Sequence, residues 1–237
     1  MTTAEPITPQ PATQRQDPRP HVWSPAEFAR MSELGIFADE VELIAGTVCF
    51  AGQGDAEPFH FRRKEYYALS DEGFFRDQRV QLIRGVILRE EPMNPPHAMG
   101  IQLVAIALGI LYGAGFSVRV QLPLDLGQDT EPEPDVAVVR GSPRDYPTHP
   151  TTAVLVVEVS DSTLASDLTV KAELYAATGI PEYWVLDLET QRLLVFRDPV
   201  ALAPGGHAYH THLSFAVDES VTPLAATNPV AVADLLP

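Results

Sequence analysis

The sequence predicts an α/β protein, with some α+β character, built on a mixed central β-sheet flanked by helices. A strand–helix–strand pattern over residues 153–188 indicates a parallel crossover, which is right-handed in nearly all proteins. The strands before it follow one another through turns and loops and should pair antiparallel. The chain has 237 residues, of which 45% are hydrophobic, enough for one large domain or for one domain with extensions.

The N-terminal segment 1–22 is expected to be a disordered tail. It contains MTTAEPITPQPATQRQDPRP, which has no apolar core and is rich in proline, and we see no secretory signal in it. The only cysteine, Cys49, excludes an intramolecular disulfide framework and is typical of a reducing compartment. We therefore expect a cytoplasmic protein.

Two neighbouring segments resemble each other. WSPAEFARMSELGIFADEVELIAGTVCF (23–50) matches FRRKEYYALSDEGFFRDQRVQLIRGVIL (61–88), and each predicts a short helix, a glycine turn and a β-hairpin. Chance similarity between short helix–hairpin units is the alternative. We predict an extra helix–hairpin unit over 23–58, a main domain over 59–197, and a C-terminal hairpin with an extended tail over 198–237.

The uncharged stretch AMGIQLVAIALGILYGAGF (98–116) predicts an apolar helix over about 97–112. Such a helix is roughly 24 Å long at 1.5 Å per residue, which is short of the roughly 30 Å hydrocarbon core of a bilayer. We expect a buried core helix and no membrane contact. A homodimer interface formed by this helix is a second interpretation.

Five strands follow from the remaining pattern, together with one more helix. The strands are predicted at 117–125, 135–139, 153–159, 182–188 and 192–197. The helix is expected to begin at Ser166, whose hydroxyl can cap a free backbone N–H, and to end before Gly179.

Two of the strands place carboxylates where they can meet. An antiparallel register that sets Val139 opposite Val154 also sets Asp135 opposite Glu158, although the long connecting loop permits other registers. Directly opposed Cβ atoms lie about 4.5–5.5 Å apart. Carboxylates at that distance repel unless a cation lies between them, and hard oxygen ligands suit Mg²⁺ or Mn²⁺.

Lys171 is one of two lysines in a chain that otherwise uses arginine. Asp167, Lys171 and Tyr175 are spaced four residues apart and should share one helix face. An ammonium group there could stabilise an attacking hydroxide or the charge of a phosphoryl transition state. The alternative is a surface ion pair between Asp167 and Lys171, worth about 0.3–0.5 kcal/mol.

The formal net charge of −16 argues against non-specific nucleic-acid binding, which needs Lys and Arg to displace counterions. Basic residues are nonetheless concentrated between Arg62 and Arg89. This concentration predicts either a local basic patch for nucleic acid or a solvated surface of ion pairs.

Several of these runs resemble a known family. EPDVAVV (133–139), LVVEVSDST (155–163) and DLTVKAELYAATGIPEYWVLD (167–187) are similar to the Uma family of proteins classed as restriction endonucleases, within the PD-(D/E)XK nuclease superfamily. RVQLIRGVIL (79–88) and MNPPHAMG (93–100) add an earlier signature. The resemblance covers about residues 60–197.

The resemblance implies a restriction-endonuclease-like fold and a bacterial, Mg²⁺- or Mn²⁺-dependent endonuclease that hydrolyses phosphodiester bonds in DNA. It implies that Asp135 and Glu158 bind the metal and that Lys171 assists catalysis. In the wider superfamily the lysine lies two residues after the glutamate, where this chain has Ser160. In the Uma pattern the lysine lies on the following helix, and Lys171 matches that position.

Other positions leave alternatives open. Family members usually carry a glutamate where this chain has Gln81, and the upstream copy has Glu42 at the matching place. Gln81 could be a neutral ligand, Glu42 could substitute for it, or the protein could be a catalytically weakened or inactive scaffold or binding protein. His97 matches a family position, but a histidine satisfied by the backbone at a helix start fits equally well. RNA or single strands are alternative substrates.

Overall fold

The computed structural model of the protein describes residues 18–52, 56–90, 92–161 and 163–237. The chain divides into two compact units. Unit 1 contains Pro92–Leu124 and Glu133–Pro237, and unit 2 contains Pro18–Glu91 and Asp125–Pro132. Residues 59–91, predicted as the first part of the main domain, therefore belong to the same unit as the predicted extra segment 23–58. The first 17 residues of the predicted tail lie outside the described residues.

Unit 2 contains both similar segments, and each forms a helix followed by an antiparallel hairpin. Its elements are β1 (Arg19–Pro20), α1 (Pro25–Glu33), β2 (Val41–Ile44), β3 (Thr47–Phe50), α2 (Arg63–Asp71), β4 (Val80–Ile83) and β5 (Val86–Arg89). The two hairpins turn through equivalent pairs with positive φ, Ala45–Gly46 and Arg84–Gly85. Two successive residues with positive φ are the mark of the tight turn whose twist matches that of the strands.

The end of the predicted tail is ordered, so that prediction is wrong for residues 18–22. Strand β1 pairs with β5, and the backbone N–H of His21 donates to the carbonyl of Ile87 at 2.8 Å. The reason is apolar anchoring: Trp23 is buried in the core of unit 2 together with Met31, Phe61 and Leu69.

A short excursion of the chain completes unit 2. Asp125–Pro132 follows β6 in sequence but belongs to this unit. The carbonyl of Gln128 accepts from the N–H of Arg63 at 2.7 Å, and the carbonyl of Asp129 accepts from the N–H of Gly85 at 2.8 Å. Glu131 is buried and accepts from the Tyr67 hydroxyl at 2.5 Å.

Unit 1 is built on a six-stranded sheet of order β11-β10-β9-β8-β7-β6. Its helices are α3 (Pro95–Tyr112), α4 (Leu164–Ser166) and α5 (Ala172–Ala177), and its strands are β6 (Phe116–Val120), β7 (Val136–Arg140), β8 (Leu155–Ser160), β9 (Glu182–Asp187), β10 (Arg192–Ala201), β11 (His207–Phe215), β12 (Ser220–Val221) and β13 (Val230–Ala231). Strands β8 and β9 are parallel, and the other neighbours in this sheet are antiparallel. The predicted mixed sheet with helices is confirmed.

Strands β7 and β8 pair in the predicted register. Val136 lies opposite Val157 and Val138 opposite Leu155. One residue further along, the same register sets Asp135 opposite Glu158. The apolar residues of both strands are buried on both faces of the sheet.

One face of helix α3 is buried in the core of unit 1, and the opposite face is exposed. Ile101, Val104 and Leu108 are buried in the core of unit 1, whereas Ile106 and Ile110 are 61% and 80% exposed. By length and composition alone, α3 would suffice to cross a membrane. Its buried face shows that it packs as part of a protein core.

Two further predictions need correction. The helix after β8 begins at Leu164, not after a Ser166 cap, and continues through a π-helical turn (Asp167–Lys171) into α5. The predicted C-terminal hairpin is present as the β10–β11 pair, but the residues after it are not an extended tail, because β12 pairs with β13 and Val221, Val232 and Leu235 lie in the core. The weak periodicity of this Ala- and Pro-rich segment did not reveal that these residues would be buried.

Candidate active site

Asp135 directly precedes β7 and is held by both neighbouring strands. Its Oδ2 accepts the backbone N–H of Val159 at 2.9 Å. Its Oδ1 lies 3.3 Å from His97 Nε2 and accepts from Gln121 Nε2 at 3.4 Å. The carboxylate is thus fixed at the end of the β7–β8 pair by main-chain and side-chain donors.

Glu158 lies within β8 and is almost fully buried, with a side chain that is 2% exposed. Its Oε1 accepts the hydroxyl of Tyr175 at 2.8 Å, and its Oε2 lies 2.9 Å from Lys171 Nζ. The apolar strand therefore delivers a carboxylate into a closed environment in which a phenol and an ammonium group satisfy it.

The π-helical turn supplies the cation and a third carboxylate. Lys171 Nζ lies 3.2 Å from Asp167 Oδ1, and Asp167 Oδ2 accepts the Thr163 hydroxyl at 2.6 Å. The Asp167 and Lys171 side chains are only 1% and 13% exposed. The alternative of a surface ion pair is therefore wrong. π-turns of this kind occur often at functional sites.

The start of α3 brings His97 to the carboxylates. Asn94 caps the helix by accepting the backbone N–H of His97 at 3.0 Å. Gly100 lets the helix approach β8 closely, since a Cβ there would lie 2.9 Å from Val159 Cγ1. The imidazole of His97 then contacts Asp135, so its ring is not satisfied by the backbone.

The site concentrates charge in a buried volume. Burial raises the pKa of Glu158 to about 8, and the charges of Asp135 and Asp167 act in the same direction against Lys171. Burial also opposes ionisation of Asp135, but the hydrogen bond and charge of His97 hold its pKa below the usual value. Burial disfavours the Lys171 ammonium, yet the surrounding carboxylates raise its pKa well above normal. The carboxylates therefore strongly favour the positively charged form of Lys171.

The structure brings together six of the eight residues predicted for the site, namely Asp135, Glu158, Lys171, His97, Asp167 and Tyr175. The other two lie in unit 2. Gln81 is buried on β4 and donates from Nε2 to Glu90 Oε1 at 2.8 Å, and Glu42 is exposed on β2. The cluster in unit 1 is assembled from its own residues.

Sequence reasoning missed Gln121, which follows β6 and contacts Asp135. No periodicity or motif pointed to it, because its place depends on the backbone leaving the strand at that residue. Ser160 lies two residues after Glu158, and its buried Oγ has no hydrogen-bond partner among the described residues. The lysine reaches the site from the helix instead.

Comparison with known families decides the classification. The Uma2 family model, described as "putative restriction endonuclease", matches residues 63–223. The chain belongs to the Uma2 family. A search among curated proteins gave no match.

A solved relative shows the same fold as this Uma2 protein. The crystal structure of a protein described as "a putative nuclease belonging to DUF820", from Anabaena variabilis, superposes with a TM-score of 0.57 at 16% sequence identity. The match covers 74% of this chain and 97% of that one. The predicted restriction-endonuclease-like fold is confirmed.

The donor set of this Uma2 site fits a hard divalent cation. Asp135 and Glu158 offer carboxylate oxygens, and Asp135 Oδ2 and both oxygens of Glu158 have a second lone pair beyond the donor described above for each. Among the described residues, no group of three or more His, Cys, Asp or Glu side chains is placed to hold one metal ion. Two carboxylates with further neutral oxygens match the usual binding of Mg²⁺, which retains several waters.

Proposed function

We propose that this protein is a Mg²⁺- or Mn²⁺-dependent endonuclease that hydrolyses phosphodiester bonds in DNA in the cytoplasm. One observation carries the proposal: Asp135 and Glu158 are opposed on neighbouring strands, and Lys171 Nζ lies 2.9 Å from Glu158. Membership of the Uma2 family supports the same chemistry.

In this proposal some residues bind the metal ion, and others assist catalysis or position those ligands. Asp135 and Glu158 would bind the cation, which when bound neutralises phosphate charge and lowers the pKa of water. Lys171 places a compact ammonium beside them, suited to stabilise the attacking oxygen or the charge of the transition state. Tyr175 holds Glu158 from the opposite oxygen, and His97 orients Asp135.

The net charge of −16 bears on the substrate. The negative charge of the whole molecule would repel a polyanion. In unit 2, Arg63 pairs with Asp125 and Arg79 Nη2 lies 3.1 Å from Glu90, so part of the basic cluster is already neutralised by neighbouring acids. Affinity for DNA should therefore depend strongly on the bound divalent cation.

The proposal is tested by nicking of supercoiled plasmid in Mn²⁺ at low salt. Wild-type protein should cleave, and Asp135→Asn should not. The matched control is Asp218→Asn, which removes an exposed aspartate of unit 1 far along the chain from the site and should leave cleavage unchanged. Melting curves establish that all three proteins are folded.

Parallel substrates separate the alternatives. Cleavage of single-stranded DNA or RNA without plasmid nicking would move the activity to those substrates. Folded wild-type protein that binds Mn²⁺ but cleaves none of them would overturn the nuclease proposal in favour of a non-catalytic scaffold.

A further inference from the structure

One of the residues of unit 1 with a left-handed backbone lies beside the carboxylates. Gln121 has φ +49°, in the left-handed region that non-glycine residues rarely occupy. Its backbone N–H donates to the carbonyl of Asp135 at 3.1 Å, which extends the β6–β7 ladder by one residue. Backbone strain of this kind persists where the surrounding structure imposes it and is concentrated at functional sites.

The strand register places Gln121 next to Asp135. Val120 pairs with Val136 on β7, and Val136 pairs with Val157 on β8. One step further, Gln121, Asp135 and Glu158 form a single row across three strands. A polar residue thus lies on each side of Asp135 at the end of the sheet.

The nitrogen and the oxygen of the Gln121 side-chain amide differ in their contacts. Nε2 contacts Asp135 Oδ1 at 3.4 Å and Met93 Sδ at 3.2 Å. Within the described residues, Oε1 accepts no hydrogen bond from the protein. The side chain is half-buried, and the contact of its Nε2 with Asp135 keeps the amide group beside that carboxylate.

The cation site needs such an oxygen. Its carboxylates already crowd a buried volume, and a further negative charge would raise the repulsion. Mg²⁺ and Mn²⁺ take neutral amide oxygens alongside carboxylates and water. We propose that Gln121 is a neutral oxygen ligand of the divalent cation, a role that the sequence analysis offered as one alternative for Gln81. This inference rests on the proposed function.

Calorimetric titration of the full-length protein with Mn²⁺ alone tests it, with melting curves of the metal-free protein. Gln121→Gly removes the amide and relieves the left-handed backbone. It should weaken Mn²⁺ binding at least tenfold, the lower range for loss of groups that support a metal. The melting temperature should stay equal or rise.

The chain offers a matched control. Gln191 is also a glutamine in the left-handed region, with φ +52°, and it lies exposed in the turn between β9 and β10. Gln191→Gly makes the same chemical change and the same backbone relief. It should leave Mn²⁺ affinity at the wild-type value.

Gln121→Glu separates a ligand from a residue that merely supports Asp135. If residue 121 is a ligand, this substitution makes the ligand negatively charged, so the variant should bind Mn²⁺ more tightly than wild type. The melting temperature of the metal-free variant should be lower, because a further carboxylate faces Asp135. A supporting residue would lose its donor, and binding would weaken.

The outcomes distinguish this inference from the proposed function. Wild-type binding of Mn²⁺ that is lost in Asp135→Asn but unchanged in Gln121→Gly overturns the role of Gln121 alone. Weaker binding in Gln121→Glu than in wild type overturns it as well. Absence of Mn²⁺ binding in the folded wild type overturns both proposals.

Discussion

The close approach of α3 to β8 predicts opposite effects for two glycine-to-alanine substitutions in one helix. A Cβ at Gly100 would lie 2.9 Å from Val159 Cγ1 and 3.6 Å from Leu188 Cδ2, whereas a Cβ at Gly109 would meet nothing within 4 Å. Both changes gain up to about 1 kcal/mol of helix propensity. Only Gly100→Ala also forces a methyl into a packed contact, which costs about 1–3 kcal/mol.

The expected free energy of unfolding therefore falls by about 1 kcal/mol for Gly100→Ala and rises by about 0.5–1 kcal/mol for Gly109→Ala. Urea unfolding followed by tryptophan fluorescence measures both. Trp23 and Trp184 are buried in different units, so a Trp23→Phe background leaves Trp184 as the reporter of unit 1.

A double variant identifies the cause. Val159→Ala removes the Cγ1 atom that the new methyl would strike, so Gly100→Ala should cost less in that background than in wild type. Equal stabilisation by Gly100→Ala and Gly109→Ala would refute the reasoning. It would mean that β8 yields to the helix without cost and that Gly100 does not set how closely His97 approaches Asp135.

Two more predictions concern the buried charges. Because burial raises the pKa of Glu158 to about 8, its carboxyl carries a proton at neutral pH that a cation must displace; Mn²⁺ affinity should rise about fifty-fold from about pH 6 to about pH 8 and then level off. Calorimetry in two buffers of different ionisation enthalpy should count close to one proton released near pH 7, and a count of zero would contradict this. Lys171→Met leaves Asp167 without its countercharge, so the metal-free protein should lose about 3 kcal/mol of unfolding free energy at neutral pH, the low end for an unpaired buried charge because Glu158 already carries a proton there. Urea denaturation measures the loss, Asp167→Asn in the same chain should restore part of it, and a loss below about 1 kcal/mol would show that the ammonium does not neutralise the cluster.

Much of the site could be predicted because it depends on short-range rules. The apolar runs of β7 and β8 predict the two strands, and the register that sets Val139 opposite Val154 is the one observed. The spacing of Asp167, Lys171 and Tyr175 places all three on one side of a helix, even though part of that helix is a π-turn. These features depend on periodicities that the sequence displays directly.

The remainder depends on where the chain goes in three dimensions. Gln121 contacts Asp135 only because one residue adopts a left-handed conformation, which no pattern of polar and apolar residues encodes. The N-terminal strand β1 is ordered by pairing with β5, which is distant in sequence. Nothing local to Gln81 indicated that it would bond to Glu90 and lie in a different unit from Asp135.

The excursion of Asp125–Pro132 has a consequence for the order in which the protein can be made. Domains generally fold as they leave the ribosome, N-terminal parts first. Unit 2 cannot follow that rule with residues 18–91 alone, because the backbone partners of Arg63 and Gly85 are supplied by Gln128 and Asp129. Helix α3 and strand β6 must therefore be synthesised before unit 2 is complete. The segment that completes unit 2 ends at Pro132, and only Glu133 and Pro134 separate it from Asp135, the first carboxylate of the candidate site along the chain.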